Sequence, residues 1–292
     1  FRWKKENSWW ASVIDNTVVK LKQENNLLYV KSSSFDTDEK YIRKYLRIND
    51  PLQDILSSIN KDQVMDNAIS KLNGLRLIKQ NPWECLASFI CATYKNIASI
   101  KKMISNICHS LGQRIEYEGT IYYTFPEPEI VTKTDIHTLE DCGLGYRAKF
   151  LQETAKRITS KDIVLENLEN SNYENVRDIL LGNTGKGKIL PGVGPKVADC
   201  VMLFSLEKLD AFPIDVWIRR TIQKYYPHFF DNDPNNQLSI LKDNSIGLAE
   251  YKSISKKMRM YFGPYSGYAQ EYLFHYARNS EHFSLTSEHL KS

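Results

Sequence analysis

One stretch of twelve residues limits the possible folds of this chain more than any other. Ile189-Leu190-Pro191-Gly192-Val193-Gly194-Pro195-Lys196-Val197-Ala198-Asp199-Cys200 runs from an apolar helix end, through an L-P-G-V-G turn, into a new helix. Gly192 and Gly194 allow positive φ and leave their backbone N–H groups unobstructed. The pattern predicts a helix–hairpin–helix over about residues 174–207. Its second helix starts with orphan N–H donors and the positive end of a dipole, which together make a ready anion site. A hairpin of this kind can grip a phosphate through its main chain without reading sequence. A simple αα-hairpin with a glycine turn fits the same residues.

Lys196 stands two residues past the second glycine, in the first turn of the new helix. The dipole and any burial both oppose a positive charge there. An unprotonated lysine can attack a carbon centre and hold it as a Schiff base; a surface lysine touching phosphate is the plainer reading. Nineteen positions later, Phe212-Pro213-Ile214-Asp215-Val216-Trp217 reads as the entry and N-cap of a further helix. A carboxylate at Asp215 facing the lysine would assist proton transfer or stabilise a cationic transition state, and simple capping is the alternative. Between Lys186 and Lys224 seven basic residues oppose four acidic ones, a local +3 that suits a phosphate-facing surface.

Composition is compatible with this and does not demand it. The 292 residues suffice for one large or two modest domains with a buried core. At 42% hydrophobic and 25% charged the chain reads as globular. No run approaches about 18 consecutive apolar residues, so no membrane partner is expected. A net charge of +4 permits a nucleic-acid partner without requiring one. Phe1-Arg2-Trp3 carries no apolar signal region, so an intracellular location is expected. The five cysteines (Cys85, Cys91, Cys108, Cys142, Cys200) are odd in number and never spaced C-x-x-C. They are therefore expected as buried thiols rather than as a disulfide scaffold or metal site.

Along the chain the patterning changes near residue 45. Residues 9–33 hold short β-branched runs, with near-alternation in Val18-Val19-Lys20-Leu21-Lys22 and turn residues at Glu24-Asn25-Asn26. This reads as an antiparallel hairpin with one buried face, and no later run of comparable length repeats it. Helical signals follow. Asn81-Pro82 caps and begins a helix whose Leu86, Phe89, Ile90 and Thr93 recur at helical spacing. Another begins near Tyr146, with Phe150, Leu151, Ala155 and Ile158 on one stripe. The expected fold class is α+β, mainly α. An N-terminal antiparallel β region (1–45, incomplete at its start) packs on a helical region (46–292) that contains the helix–hairpin–helix. Gly182 to Lys188 matches G-x4-G-K, but Ile189 stands where a P-loop needs Ser or Thr, and Val176–Leu181 reads as a helix end. A polar loop insertion is expected there.

Taken in order, these motifs resemble the 8-oxoguanine DNA glycosylases of the helix–hairpin–helix superfamily. The resemblance runs nearly end to end. It rests on Phe1-Arg2-Trp3, Asn81-Pro82-Trp83-Glu84-Cys85 with Ser88-Phe89-Ile90-Cys91, and Gly143-Leu144-Gly145-Tyr146-Arg147-Ala148-Lys149. It continues through Leu190 to Cys200, Phe212 to Val216, and Gly263-Pro264-Tyr265-Ser266-Gly267-Tyr268-Ala269-Gln270 to Phe274. The resemblance implies a bifunctional glycosylase and β-lyase acting on double-stranded DNA that contains 8-oxoguanine. It implies a monomer with no redox cofactor and no catalytic metal, located in the nucleus of a eukaryote or the cytoplasm and nucleoid of a bacterium.

By the family pattern Lys196 attacks C1′ of the damaged nucleoside and expels the base, and the Schiff base then permits strand scission by β-elimination. Asp215 supports the developing positive charge and caps its helix. A stacked base is out of reach, so the nucleotide is flipped at a cost of roughly a few kcal/mol. Phe274 and Cys200 would sandwich the flipped base, Gln270 would bond its Watson–Crick edge, and Trp217 would line the same pocket. Tyr146 would wedge into the duplex with Arg147 beside it, while Gly192, Gly194 and Val197 offer amides to phosphate.

Departures from the pattern carry information. Eukaryotic members contact the base opposite the lesion with a run of asparagines and a following arginine. Here the stretch is Tyr94-Lys95-Asn96-Ile97-Ala98-Ser99, which keeps only Asn96 and puts Ser99 in place of the arginine. Ser99 cannot make a bidentate contact to a base edge, so weakened discrimination for cytosine is expected. Trp217 replaces the eukaryotic histidine, and the family glycine that reads the lesion lies upstream of Phe1. Two alternatives remain from sequence. A glycosylase of the same fold for another damaged base would carry four cysteines after Asp215 or lack the hairpin lysine. A non-enzymatic DNA-binding module would need neither Lys196 nor Gln270 and Phe274.

Overall fold

The structure, a computed structural model, describes residues 1–34, 39–183, 190–229 and 247–279. The expected loop insertion at Gly182 to Lys188 therefore lies largely outside the described residues. Four strands, β1 (Lys4–Glu6), β2 (Trp9–Ile14), β3 (Thr17–Glu24) and β4 (Leu27–Ser32), pair antiparallel in sequence order. The register leaves two residues in each turn: Glu6 pairs Trp9, Ile14 pairs Thr17, and Glu24 pairs Leu27. The first residue of each turn has positive φ, 54° at Asn7, 49° at Asp15 and 52° at Asn25. Asn and Asp tolerate that region, and such turns follow the twist of the strands they join.

The middle of this sheet is covered on both faces, not on the one face expected. Ile14, Val19 and Leu21 pack with Ile42 of helix α1 (Glu39–Tyr45). On the other face Ala11, Val13 and Val18 are buried beside Lys20, which is only 8% exposed. The Lys20 ammonium lies 3.1 Å from Glu118 and 3.4 Å from Glu6, and it sits over the rings of Tyr117 and Tyr122. Burial disfavours this ammonium, and the carboxylates and Tyr122 reverse that and hold it charged. Tyr117 and Tyr122 belong to a second hairpin, β5 (Arg114–Tyr117) and β6 (Thr120–Tyr123), which periodicity did not reveal. Its strands are only four residues long. The readable signal was its turn, Glu118-Gly119, with φ of 49° and 72°.

The remaining helices are α2 (Leu52–Ile59), α3 (Gln63–Lys71), α4 (Pro82–Ala92), α5 (Ile97–Leu111), α6 (Pro128–Lys133) and α7 (Ile136–Leu139). After them come α8 (Arg147–Thr159), α9 (Tyr173–Leu181), α10 (Pro195–Ser205), α11 (Val216–Tyr225), α12 (Leu248–Phe262) and α13 (Ser266–Arg278). The Asn81 side chain accepts the N–H groups of Trp83 and Glu84, and Pro82 fills the first helical position. That start matches the sequence reading, but the single apolar stripe does not. Every residue from Cys85 to Ala92 is buried, so α4 is surrounded and Thr93 falls at its C-cap. A helix apolar on all sides is a core helix. On α8 Leu151 and Ala155 are buried as expected, whereas Phe150 is partly exposed. All five cysteines are free and buried. Burial pushes the thiols up, to about 11 at Cys108 and about 12 at Cys85 and Cys91, so they pack as neutral groups.

At Gly267, helix α13 begins against the segment that follows α10, and the Gly267 N–H donates to the Leu209 carbonyl at 2.8 Å. A Cβ at that position would fall 2.9 Å from the carbonyl oxygens of Leu209 and Ala211 and 2.1 Å from the Leu203 side chain. Overpacking of this kind costs about 1–3 kcal/mol. Gly267→Ala is expected to lower stability by about that amount in urea denaturation, and an unchanged midpoint would contradict this packing.

Candidate active site

The hairpin forms where the sequence places it. Helix α9 ends at Leu181, with Gly182 left-handed at φ 71°, and α10 starts at Pro195 with Gly194 as its N-cap. Within the turn Val193 N–H donates to the Leu190 carbonyl at 3.1 Å, and the Thr154 hydroxyl of α8 donates to the Pro191 carbonyl at 3.1 Å. Gly192 has φ +80°, and a Cβ there would press on Ile90 at 3.1 Å and Phe150 at 3.2 Å. Gly194 does not need positive φ, contrary to expectation. Its backbone is extended (φ −98°, ψ −178°), with nothing among the described residues within 4 Å of a Cβ position. Its contribution is openness. Having no side chain, it leaves the first-turn N–H groups of Lys196 and Val197 without a side-chain cap.

One turn of α10 separates Lys196 from Cys200, and Asp215 caps α11, with Oδ1 accepting the Ile218 N–H at 2.8 Å. Lys196, Cys200, Asp215, Trp217, Gln270 and Phe274 all line one cavity of about 430 Å³. All six residues that the sequence reading assigned to catalysis and base binding thus come together, from helices far apart in the chain. Phe89 and Phe204 line it too. Their rings stack at 5.7 Å, and the Lys196 ammonium lies 5.6 Å from the Phe89 centroid. No local signal distinguished these two phenylalanines from core, because only the packing of α4 on α10 brings them to the cavity.

Gln270 is 4% exposed, and its amide oxygen has no hydrogen-bond partner among the described residues. Leaving such an acceptor buried and unpaired costs about 1–3 kcal/mol, so native proteins rarely keep one without a use. Cys200 is enclosed, and burial drives its thiol far up, keeping it neutral as an apolar wall. Gln270, Phe274 and Arg278 succeed one another at intervals of four along α13 and so share a face. The Arg278 guanidinium stands 5.3 Å from the Phe274 ring and 5.8 Å from the Trp217 ring at the cavity rim. The sequence reading missed Arg278, although the four-residue interval pointed to it.

The residues expected to touch DNA divide into two groups. Tyr146 is 54% exposed, with its ring edge-on to Phe150 at 5.7 Å, and Phe150 flanks Gly192. It therefore shares a side of the molecule with the hairpin. Asn96 caps α5 by accepting the Ser99 N–H at 2.8 Å and lies at the cavity rim. Arg147 corrects the sequence reading. It is 4% exposed, donates through Nε to the Thr93 carbonyl at 3.0 Å and through Nη1 to the Leu144 carbonyl at 3.3 Å, and stacks on Tyr146. Its guanidinium is taken up by the protein's own carbonyls, so here it braces the turn between α4 and α5 instead of reaching outward.

Two family profiles match successive parts of the chain, meeting within α4. The profile of the 8-oxoguanine DNA glycosylase N-terminal domain matches residues 1–86, and that of the HhH-GPD superfamily of base excision DNA repair proteins matches residues 87–240. The chain is 31% identical over 259 residues to the N-glycosylase/DNA lyase of Saccharomyces cerevisiae, covering 82% of this chain and 66% of that protein. Its fold is similar to MBOgg1 in complex with a low affinity DNA ligand (TM-score 0.82, 34% identity, 95% of this chain and 88% of that one). It is also similar to the 8-oxoguanine glycosylase/lyase of Clostridium acetobutylicum solved with double-stranded DNA containing cytosine opposite 8-oxoG. That match has a TM-score of 0.80 and 29% identity, and covers 95% of this chain and 88% of that one.

The two hairpin glycines should respond differently to alanine. Gly192→Ala forces a side chain into the left-handed region and is expected to cost about 1–2 kcal/mol of stability. Gly194→Ala is expected to stay within about 0.5 kcal/mol of the parent. Thermal melts compare the two directly, and the reverse order would contradict the backbone geometry of the turn.

Proposed function

The chain belongs to the 8-oxoguanine DNA glycosylase family of helix–hairpin–helix base excision repair proteins, and from that premise we propose that it removes 8-oxoguanine from duplex DNA and cleaves the resulting site as a lyase. The observation that carries this reading is the unpaired, buried Gln270 amide oxygen in a cavity that also holds a lysine and a carboxylate. A flipped purine supplies donors at its Watson–Crick edge for that oxygen. The apolar walls at Phe274 and Cys200 suit its two faces. A cavity of about 430 Å³ is in the range of small-molecule sites.

In this reading Lys196 Nζ attacks C1′, the bond from C1′ to the base nitrogen breaks, and the base leaves with the electron pair. Asp215, fixed by its cap bond to Ile218, opposes the positive charge that develops on the sugar and then on the iminium. The nitrogen gives one proton to the departing base, its lone pair then opens the sugar ring by breaking the C1′–O4′ bond, and O4′ takes up a proton, which gives the Schiff base. Loss of the C2′ proton then breaks the C3′–O bond and expels the 3′ phosphate. The uncapped amides at the start of α10 and the turn at Gly192 hold a phosphate of the same strand, and Tyr146 fills the space left in the stack. Double-stranded DNA with the lesion is the proposed partner.

Borohydride trapping on duplex DNA containing 8-oxoguanine tests the reading directly. A covalent adduct is expected with the parent protein and none with Lys196→Gln; an adduct of equal yield in that variant would rule out the assigned nucleophile. Asp215→Asn is expected to slow excision about 100-fold while duplex binding stays within about threefold. Equal loss of rate and affinity would mark Asp215 as only a helix cap.

Opposite-base preference provides an independent measurement. Ser99 offers no bidentate contact and Arg147 is engaged with backbone carbonyls. Excision opposite A, G or T is therefore expected within about tenfold of that opposite C, given that one bidentate base contact is worth about 1–3 kcal/mol. A much stronger cytosine preference in single-turnover rates would show that another group reads that base.

A further inference from the structure

Asp199 is wholly buried and takes no part in the cavity. It lies on α10 between Lys196 and Cys200. Its Oδ1 accepts the Tyr173 hydroxyl of α9 at 2.8 Å, and its Oδ2 accepts the Tyr251 hydroxyl of α12 at 2.6 Å. Arg177 Nε stands 3.9 Å from Oδ1. Burial drives the carboxyl up to about 6, against the two tyrosine bonds and Arg177, which lower it. Keeping such a group there is costly unless the arrangement has a purpose.

Tyr251 ties this carboxylate to a second segment of the chain. Its oxygen also accepts the backbone N–H of Ile214 at 3.2 Å, and Ile214 immediately precedes Asp215. A single hydroxyl thus bridges the helix that carries Lys196 and the segment that delivers Asp215. The neighbouring residue of α12 makes a second tie, since Glu250 accepts from Arg219 of α11 at 3.0 Å. The Arg259 guanidinium, also on α12, stacks on the Tyr173 ring and links the far side of the network.

We infer that the Asp199–Tyr251–Ile214 chain is a positioning device that sets where the Asp215 carboxylate stands relative to Lys196. The inference rests on the proposed roles of those two residues. Asp199 and Tyr251 lie outside the cavity, and their effect reaches the reaction only through Asp215. Catalysis is sensitive to such placement, because a displacement of about 1 Å can cost on the order of 100-fold in rate.

The test is a double-mutant cycle in single-turnover excision on duplex DNA containing 8-oxoguanine. Tyr251→Phe removes only the bridging oxygen, and is expected to slow excision about 10- to 100-fold. Affinity for a duplex carrying a tetrahydrofuran abasic analogue should stay within about twofold. In an Asp215→Asn background the same change is expected to cost less than about twofold, because the group it positions is already gone. An equal cost in both backgrounds, or a fall in rate matched by a fall in affinity, would overturn the inference. If Tyr251→Phe does not fold, Asp199→Asn, which keeps one acceptor for a tyrosine hydroxyl, is measured in the same cycle with the same two outcomes. Failure of the parent protein to excise the lesion at all would instead reject the proposed function.

Discussion

The seating of α10 in the core is the constraint from which the rest of the site follows. Every residue from Val197 to Leu203 is buried, and α4, buried along almost its whole length, packs against it. Each large apolar side chain so enclosed contributes about 1.5–3 kcal/mol, which makes the helix an immovable rod. Its first turn reaches the surface, and that turn holds Lys196 and the uncapped amides. A lysine on a loop would sample many positions. Here its Cα is fixed by the same packing that stabilises the protein.

Of the described residues with an unpaired buried polar atom, namely Arg47, Thr93, Arg177, Gln223, Ser255 and Gln270, Gln270 is the one that lines the cavity. Most buried polar groups outside the cavity are paired, including Lys20 with two carboxylates and Asp199 with two tyrosines. Inside the cavity the Gln270 oxygen is unpaired, and the hairpin amides lack a cap. Hydrogen-bonding capacity has been left open where a flipped nucleotide and its phosphate would supply partners. This also accounts for a family member with a net charge of only +4. Main-chain donors at a helix terminus attract a phosphate without adding formal charge.

How much of this could be read beforehand depended on the range of the interaction involved. The turn at Gly192, the Asn81-Pro82 helix start and the Asp215 cap were legible because each is a contact between residues a few positions apart. Gln270 and Phe274 were found through a family pattern, and Arg278 could have been, since the interval of four puts it on their face. The short hairpin at Arg114–Tyr123 escaped because four-residue strands leave too little alternation to detect. Arg147 was read wrongly for a different reason. Nothing adjacent in sequence shows that the Thr93 carbonyl, more than fifty positions away, will claim its guanidinium.

The amino-acid sequence alone determined the local geometry: where helices begin and end, which turn needs positive φ, and which residue types the chemistry could use. Tertiary structure alone decided which of those residues meet. It brought Phe89 and Phe204 under the lysine, turned Arg147 inward, and joined Asp199 to Ile214 through one tyrosine hydroxyl. The physical reason is that caps and periodicity are set by neighbours along the chain. Burial and the pairing of distant polar groups depend instead on how whole helices pack.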